Sequence, residues 1–180
     1  MLLRMEMVSP VEIVFLAGLV AFLLKSRRSV GFIVCASLFF VYAWAAIAVT
    51  IFPIRLDPEF LEEMRWNPRW ADNINLRPIG FPGAPHLRAI QIYGNVCLGM
   101  PFGFGVPVVS KTTTRRVLSI GFSYAMGLEL VQLAIGLILG FPYRVFDIND
   151  VGLVFAGVVI GYVALEGLAR GCRMPMGRHS

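Results

Sequence analysis

Glu129 needs a physical explanation before any other residue. It lies inside a long apolar block, where an acidic group costs at least ~2.5 kcal/mol on insertion scales, so it requires either a partner or a proton. Gln132 follows three positions later, which places both side chains on one helix face. Counted from the end of the block at Leu139, Glu129 is roughly 15 Å deep at ~1.5 Å per residue. In another block, Asn95 lies six residues from Ala89, roughly 9 Å deep and close to the level of Gln132. An amide facing a carboxylate and a second amide can serve purely as structure, since interhelical polar pairs of this kind average ~0.6 kcal/mol.

The turn PYRVFDINDVG brings Arg144, Asp147 and Asp150 to the same end. In structural terms, Asp147 and Asp150 sit near a helix N-terminus, where Asp caps free amides and suits the dipole, and Arg144 pairs with Asp147. In chemical terms, the guanidinium groups of Arg144 and of Arg77, from a Pro-rich loop, match a phosphate or carboxylate bidentately. Asn95 and Gln132 would then orient a head group, Asp150 would line its site, and Glu129 or Asp147 would be the candidate general base. Nothing in the sequence resembles a nucleophile elbow or a P-loop. Cys35, Cys97 and Cys172 show no ligand-like spacing to His86 or His179, so neither a metal nor a cofactor is expected.

These residues must be positioned by membrane-spanning helices. Of the 180 residues, 57% are apolar or aromatic and only 15% are charged, which is bilayer composition in a single membrane domain over residues 1–180. Blocks long enough for a ~30 Å hydrocarbon core run from about Val8 to Leu24, Val30 to Ile54, Ala89 to Val109, Val117 to Leu139 and Asp150 to Leu168. The expected architecture is therefore all-α, a polytopic membrane helix bundle with about five transmembrane helices. Asn95, Pro101, Pro107 and four glycines mark the third block as a kinked or interrupted span. The first block reads as an uncleaved helix, because the stronger positive cluster follows it rather than precedes it.

Charge fixes the expected orientation. Lys25, Arg27, Arg28, Lys111, Arg115, Arg116, Arg170, Arg173 and Arg178 stand almost alone in short segments, whereas the seven positives on the other side are offset by eight acids. The basic segments are then cytoplasmic, with the N-terminus outside and the C-terminus inside a multi-pass cell-membrane protein. The net charge of +5 is topological rather than a nucleic-acid footprint, since the basic residues are split among the connections between apolar blocks. The outer loop, Arg55 to Arg88, places Phe60, Leu61, Met64 and Trp66 near helical spacing and has room for an interfacial helix, with Trp66 and Trp70 as anchors. The following NINLRPIGFPGAP excludes a regular helix and suggests an extended segment. Three small-xxx-small pairs, Gly99 with Gly103, Gly136 with Gly140 and Gly157 with Gly161, offer close-packing surfaces.

Taken in order, the motifs resemble the VanZ-like family, named for a membrane protein associated with resistance to teicoplanin. Asn75-Leu76-Arg77-Pro78 is similar to that family's Asn-Leu-x-Pro entry, and Asn95 with Pro101, Gly103 and Phe104 to its third helix. Glu129 with Gln132 resembles the Glu-x-x-Gln of the fourth helix. Arg144, Asp147 and Asp150, followed by Gly157, Gly161 and Tyr162, resemble the closing turn and the Gly-rich last helix. The resemblance covers about Asn73 to Tyr162, a VanZ-like core over residues 73–162. Val154 and Phe155 depart from the Asn-Thr step that the last helix commonly carries there.

Residues and resemblance together give the expectation of an outer-leaflet protein. It would bind or modify an amphiphile, either a lipid-linked cell-envelope component or a lipid-like antibiotic such as teicoplanin. The expected partner is a membrane lipid or lipid-linked amphiphile and not nucleic acid, with a homo-oligomer or a membrane protein partner also compatible. The competing expectations are a non-catalytic scaffold, whose polar residues only fix helix register, and a small transporter with Glu129 carrying a proton.

Overall fold

A computed structural model describes residues 2–3, 10–52, 54–55, 57–66, 74–78, 85–110, 112–141 and 144–172. In chain order the elements are β1 (Leu2–Leu3), α1 (Pro10–Lys25), α2 (Val30–Ile51), β2 (Ile54–Arg55), α3 (Pro58–Trp66), β3 (Ile74–Asn75), α4 (Pro85–Val109), α5 (Thr114–Leu139), β4 (Phe146–Asp147) and α6 (Ile148–Cys172). The fold is an all-α helix bundle. Four helices, α2, α4, α5 and α6, are long and apolar enough to cross a membrane. Expected as a fifth span, α1 has 16 residues, roughly 24 Å at ~1.5 Å per residue, which is short of the ~30 Å core. Residues 4–9 before it lie outside the described residues, as do Trp70, Lys111, Arg173 and Arg178.

The outward surfaces are apolar. Val14, Leu38, Ile90, Ile138 and Val163 are all largely exposed, an arrangement that would be costly in water and is the expected one in lipid. Helix ends coincide with local signals. The Ser29 side chain accepts from the Phe32 amide at 3.3 Å to open α2, and Thr113 accepts from Arg116 at 3.4 Å to open α5. Gly140 stops α5 at φ +78, and its amide donates back to the carbonyls of Gly136 and Leu137. Gly140 is thus a helix terminator and not half of a packing pair, because no neighbouring atom stands where its Cβ would be.

The other two glycine pairs face each other. A Cβ on Gly99 would meet the Val154 carbonyl and one on Gly103 the Val158 carbonyl, while Gly157 and Gly161 abut the carbonyls of Val96 and Met100. This backbone-to-backbone approach makes α4 against α6 the largest helix interface. It also explains why α4 runs uninterrupted through Pro101 and Pro107, which sets aside the interrupted form of the kinked or interrupted span expected from sequence. Close packing against α6 holds the helix where proline removes ladder hydrogen bonds. Val154 and Phe155 belong to the same packing. Val154 is buried, and Phe155 meets Phe122 edge to face with centroids 5.8 Å apart.

On the other side of α4, an aromatic cluster attaches α2 and α5. Phe102 stacks on Tyr124 with centroids 4.0 Å apart, and the Tyr42 hydroxyl donates to the Leu98 carbonyl and lies 3.0 Å from the Tyr124 hydroxyl. In the loop between α2 and α4, α3 is the nine-residue amphipathic helix for which the sequence left room. Its Phe60 packs edge-on against Phe141 just beyond α5, and Trp66 is exposed. Two short pairings close the same end. In one, β1 runs antiparallel to β2; in the other, β3 runs parallel to β4, with Ile74 opposite Phe146 and Asn75 opposite Asp147.

Candidate functional site

The parallel pairing of β3 with β4 seats the Asn75–Pro78 segment beside the start of α6, and Asp147 is the hub of that junction. One carboxylate oxygen of Asp147 accepts from the Asn149 amide at 2.8 Å and from the Asn149 side chain at 2.7 Å. This is N-cap geometry for α6. The other oxygen accepts from Asn75 Nδ2 at 3.0 Å. Asn149 Nδ2 also donates to the Arg77 carbonyl at 3.0 Å, so the loop is bound through its backbone while Arg77 itself is exposed.

Glu129 lies directly beneath. It is 7% exposed, and its Oε2 accepts from the Asp147 backbone amide at 3.0 Å. The buried acid thus finds its partner in one of the amides that a helix start leaves unbonded. Its electrostatic neighbours are Asp150 and Asp147, which repel it, and Arg144, which attracts it. Asp150, in the first turn of α6, accepts from Gln91 Nε2 at 2.8 Å and from the Asn95 side chain. Gln132 donates to the Thr50 carbonyl of α2 at 2.8 Å.

Asn95, Glu129, Gln132, Arg144 and Asp150 line one cavity of about 460 Å³ between α2, α4, α5 and α6, together with Thr50 and Gln91. Asp147 stands behind Glu129, and Arg77 lies outside the lining. Asn95 and Gln132 share the cavity as expected, but their hydrogen bonds run to Asp150 and Thr50 rather than to each other. The reason is a helix start. Since α4 begins at Pro85 and not Ala89, Asn95 is roughly 15 Å from the helix end rather than ~9 Å, and Gln91 lies about one turn nearer that end.

Sequence reasoning missed three contributors, Gln91, Asn149 and Thr50, and took Asn75 only as part of the Asn-Leu-x-Pro resemblance. Thr50 acts through its carbonyl, which no side-chain pattern can reveal. The rim of the cavity is apolar, with exposed Val49 on α2 and exposed Ile90 on α4 flanking it. A chamber with two carboxylates, three amides and one guanidinium can hold a polar head by directed hydrogen bonds and charge pairing, both of which strengthen away from water.

Fold and cavity together define a multi-pass membrane protein with a polar chamber at one end of an otherwise apolar bundle. The VanZ/LLP1 family model matches residues 39–169, and the chain belongs to that family. The match begins in α2, upstream of the Asn73–Tyr162 stretch that carries the motifs, and so takes in Tyr42 and Thr50. No curated protein and no solved structure matches the chain.

Proposed function

We propose that this VanZ/LLP1 protein binds an amphiphilic cell-envelope component, or a lipid-like antibiotic such as teicoplanin, at the outer leaflet, with the head group in the polar cavity. The wall of that cavity carries the proposal: hydrogen-bonding and charged groups line the interior, and lipid-facing Val49 and Ile90 flank the mouth. A ligand already dissolved in the bilayer can enter between α2 and α4 without leaving lipid. Arg144 takes the anionic part of the head, with exposed Arg77 a second cation outside the lining, and Asn95, Gln132 and Asp150 orient the remainder. If the head is modified as well as held, Glu129 is the general base. The Asp147 carboxylate already accepts from three donors. The test is thermal unfolding of the purified full chain with teicoplanin and with phosphatidylglycerol. One of them should stabilise the wild type, and Arg144→Ala should weaken that effect about tenfold, or ~1.4 kcal/mol. Absence of a shift with either ligand rejects the proposal.

A scaffold is the second reading, favoured by the protein partners that Glu129, Gln132 and Asp150 already have. Glu129→Gln separates them in part. The amide oxygen can still accept from the Asp147 amide, so the fold should be retained within about 1 kcal/mol. Acid-base work by this residue would be lost, whereas a scaffold would tolerate the neutral isostere.

Outer-leaflet placement follows from the positive-inside rule applied to Lys25, Arg27, Arg28, Arg115, Arg116 and Arg170. In intact cells, a thiol reagent that cannot cross the membrane should modify Cys at position 144 but not at 27 or 115. The reverse labelling would place the cavity on the cytoplasmic side.

A further inference from the structure

The three amides that line the polar cavity turn the same end towards the protein. Gln132 Nε2 donates to the Thr50 carbonyl, Gln91 Nε2 donates to Asp150 Oδ1, and the Asn95 side chain donates to the same carboxylate. Carbonyl and carboxylate oxygens only accept, so the NH2 end of each amide is the one that must face them. Each amide therefore keeps one N–H and a whole carbonyl oxygen, with two lone pairs, for a ligand. Glu129 adds to this excess of acceptors. It is 7% exposed, its Oε2 takes the Asp147 amide, and among the described residues no donor meets its Oε1.

Charge points the same way. Among the described residues that line the cavity, Glu129 and Asp150 are the acids and Arg144 is the cation. Once the anion of a ligand has taken Arg144, two carboxylates face that ligand without a compensating charge, and like charges away from water are costly. A purely anionic head is thus poorly matched. Hydroxyl groups would meet the lone pairs but not the charge. A primary ammonium does both, with three N–H donors on one positive centre. A quaternary ammonium has the charge without the donors and is held over aromatic faces, and among the described residues no aromatic ring lines this cavity.

We propose that the head group in the polar cavity is zwitterionic, with its anion on Arg144 and a primary ammonium that pairs with Glu129 and Asp150 and donates to the amide oxygens around them. The inference rests on the head-group assignment above and names the chemistry of that head. Arg144 is exposed whereas Glu129 is buried, so the anion lies nearer the surface and the ammonium deeper. The amine is then the terminal group of the head, as it is in a phosphoethanolamine.

The full chain in detergent is titrated with phosphatidylethanolamine, phosphatidylglycerol and phosphatidylcholine of identical acyl chains, and the rise in unfolding temperature gives the apparent affinity of each. The three lipids share the phosphate and the tails, so only the end of the head differs. Phosphatidylethanolamine should bind the wild type about tenfold more tightly than either of the others. Arg144→Ala should weaken all three by a similar factor. Glu129→Gln should remove only the advantage of phosphatidylethanolamine, and its melting without lipid shows whether the variant is folded. The ranking itself is read on the wild type and needs neither variant. If phosphatidylglycerol binds as tightly as phosphatidylethanolamine, the ammonium assignment falls, and an Arg144 effect that persists leaves the head-group assignment standing. Equal binding of phosphatidylcholine would show that charge without N–H suffices and would overturn the primary ammonium. An advantage of phosphatidylethanolamine that survives whole in folded Glu129→Gln would place the amine outside this cavity and overturn it too. If neither these lipids nor teicoplanin distinguishes the wild type from Arg144→Ala, the two assignments fall together.

Discussion

Gly103→Ala should lower the midpoint of thermal unfolding in detergent by roughly 6–12 °C, from ~3 kcal/mol of overpacking and ~2–4 °C per kcal/mol for a chain of this size. The added methyl would stand against the Val158 carbonyl and Cα, and backbone atoms cannot turn aside as a side chain can. Relief requires α4 and α6 to separate along their whole contact, where Gly99, Gly157 and Gly161 are equally close to the opposing backbone. Gly127→Ala in α5 is the control. No atom stands within 4 Å of its Cβ position, so the change should be neutral or gain the ~0.5–1 kcal/mol that alanine offers over glycine in a helix. Equal melting of the two variants would contradict the close-packed interface.

The second large effect is expected at Asp147. Replacing it with alanine removes the cap of α6, worth ~1 kcal/mol, and takes an acceptor from the half-buried side chains of Asn75 and Asn149, the latter keeping the Arg77 carbonyl, at ~1–3 kcal/mol for a hydrogen bond lost without replacement. Partial hydration of Asn149 reduces the second figure, so a loss of about 3 kcal/mol is expected in thermal or denaturant unfolding. Asp147→Asn keeps one acceptor oxygen and should recover part of the loss. It should also leave ligand binding intact, since the carboxylate faces the cap and the loop. Loss of binding in Asp147→Asn at full stability would show that this acid contacts the ligand after all.

The sequence made the spans legible because apolar length is written directly into it. All five expected blocks match helices, α1, α2, α4, α5 and α6, to within a few residues, and among the described residues four of these helices are long and apolar enough to cross a membrane. The third reads as kinked or interrupted because Asn95, Pro101, Pro107 and the glycines are visible in sequence, whereas the α6 surface that keeps the helix continuous is not. Asn95, Glu129 and Gln132 stand out from the cost of placing polar groups at membrane depth, and Arg77, Arg144, Asp147 and Asp150 from the loop and turn beside them; five of the seven share the cavity. Their partners were harder to see. Glu129 is bonded to a backbone amide and Gln132 to a backbone carbonyl, groups that every residue carries and no spacing distinguishes. Tyr42 and Tyr124, 82 positions apart, meet only once both helices are docked.

The two-residue parallel pairing of β3 with β4 also constrains how the protein is made. Parallel strands need a long crossover, and here the crossover consists of two whole membrane passes, α4 and α5. During synthesis, the Asn75 segment must reach its final side and wait there until α4 and α5 have inserted and the first turn of α6 has left the ribosome. Asp147, the amide that holds Glu129 and the carboxylate of Asp150 all arrive with that last helix. A nascent chain halted before α6 therefore carries Glu129 in α5 without the group that holds it. The chamber is completed only when α6 joins the bundle, the step in which the largest helix interface also forms.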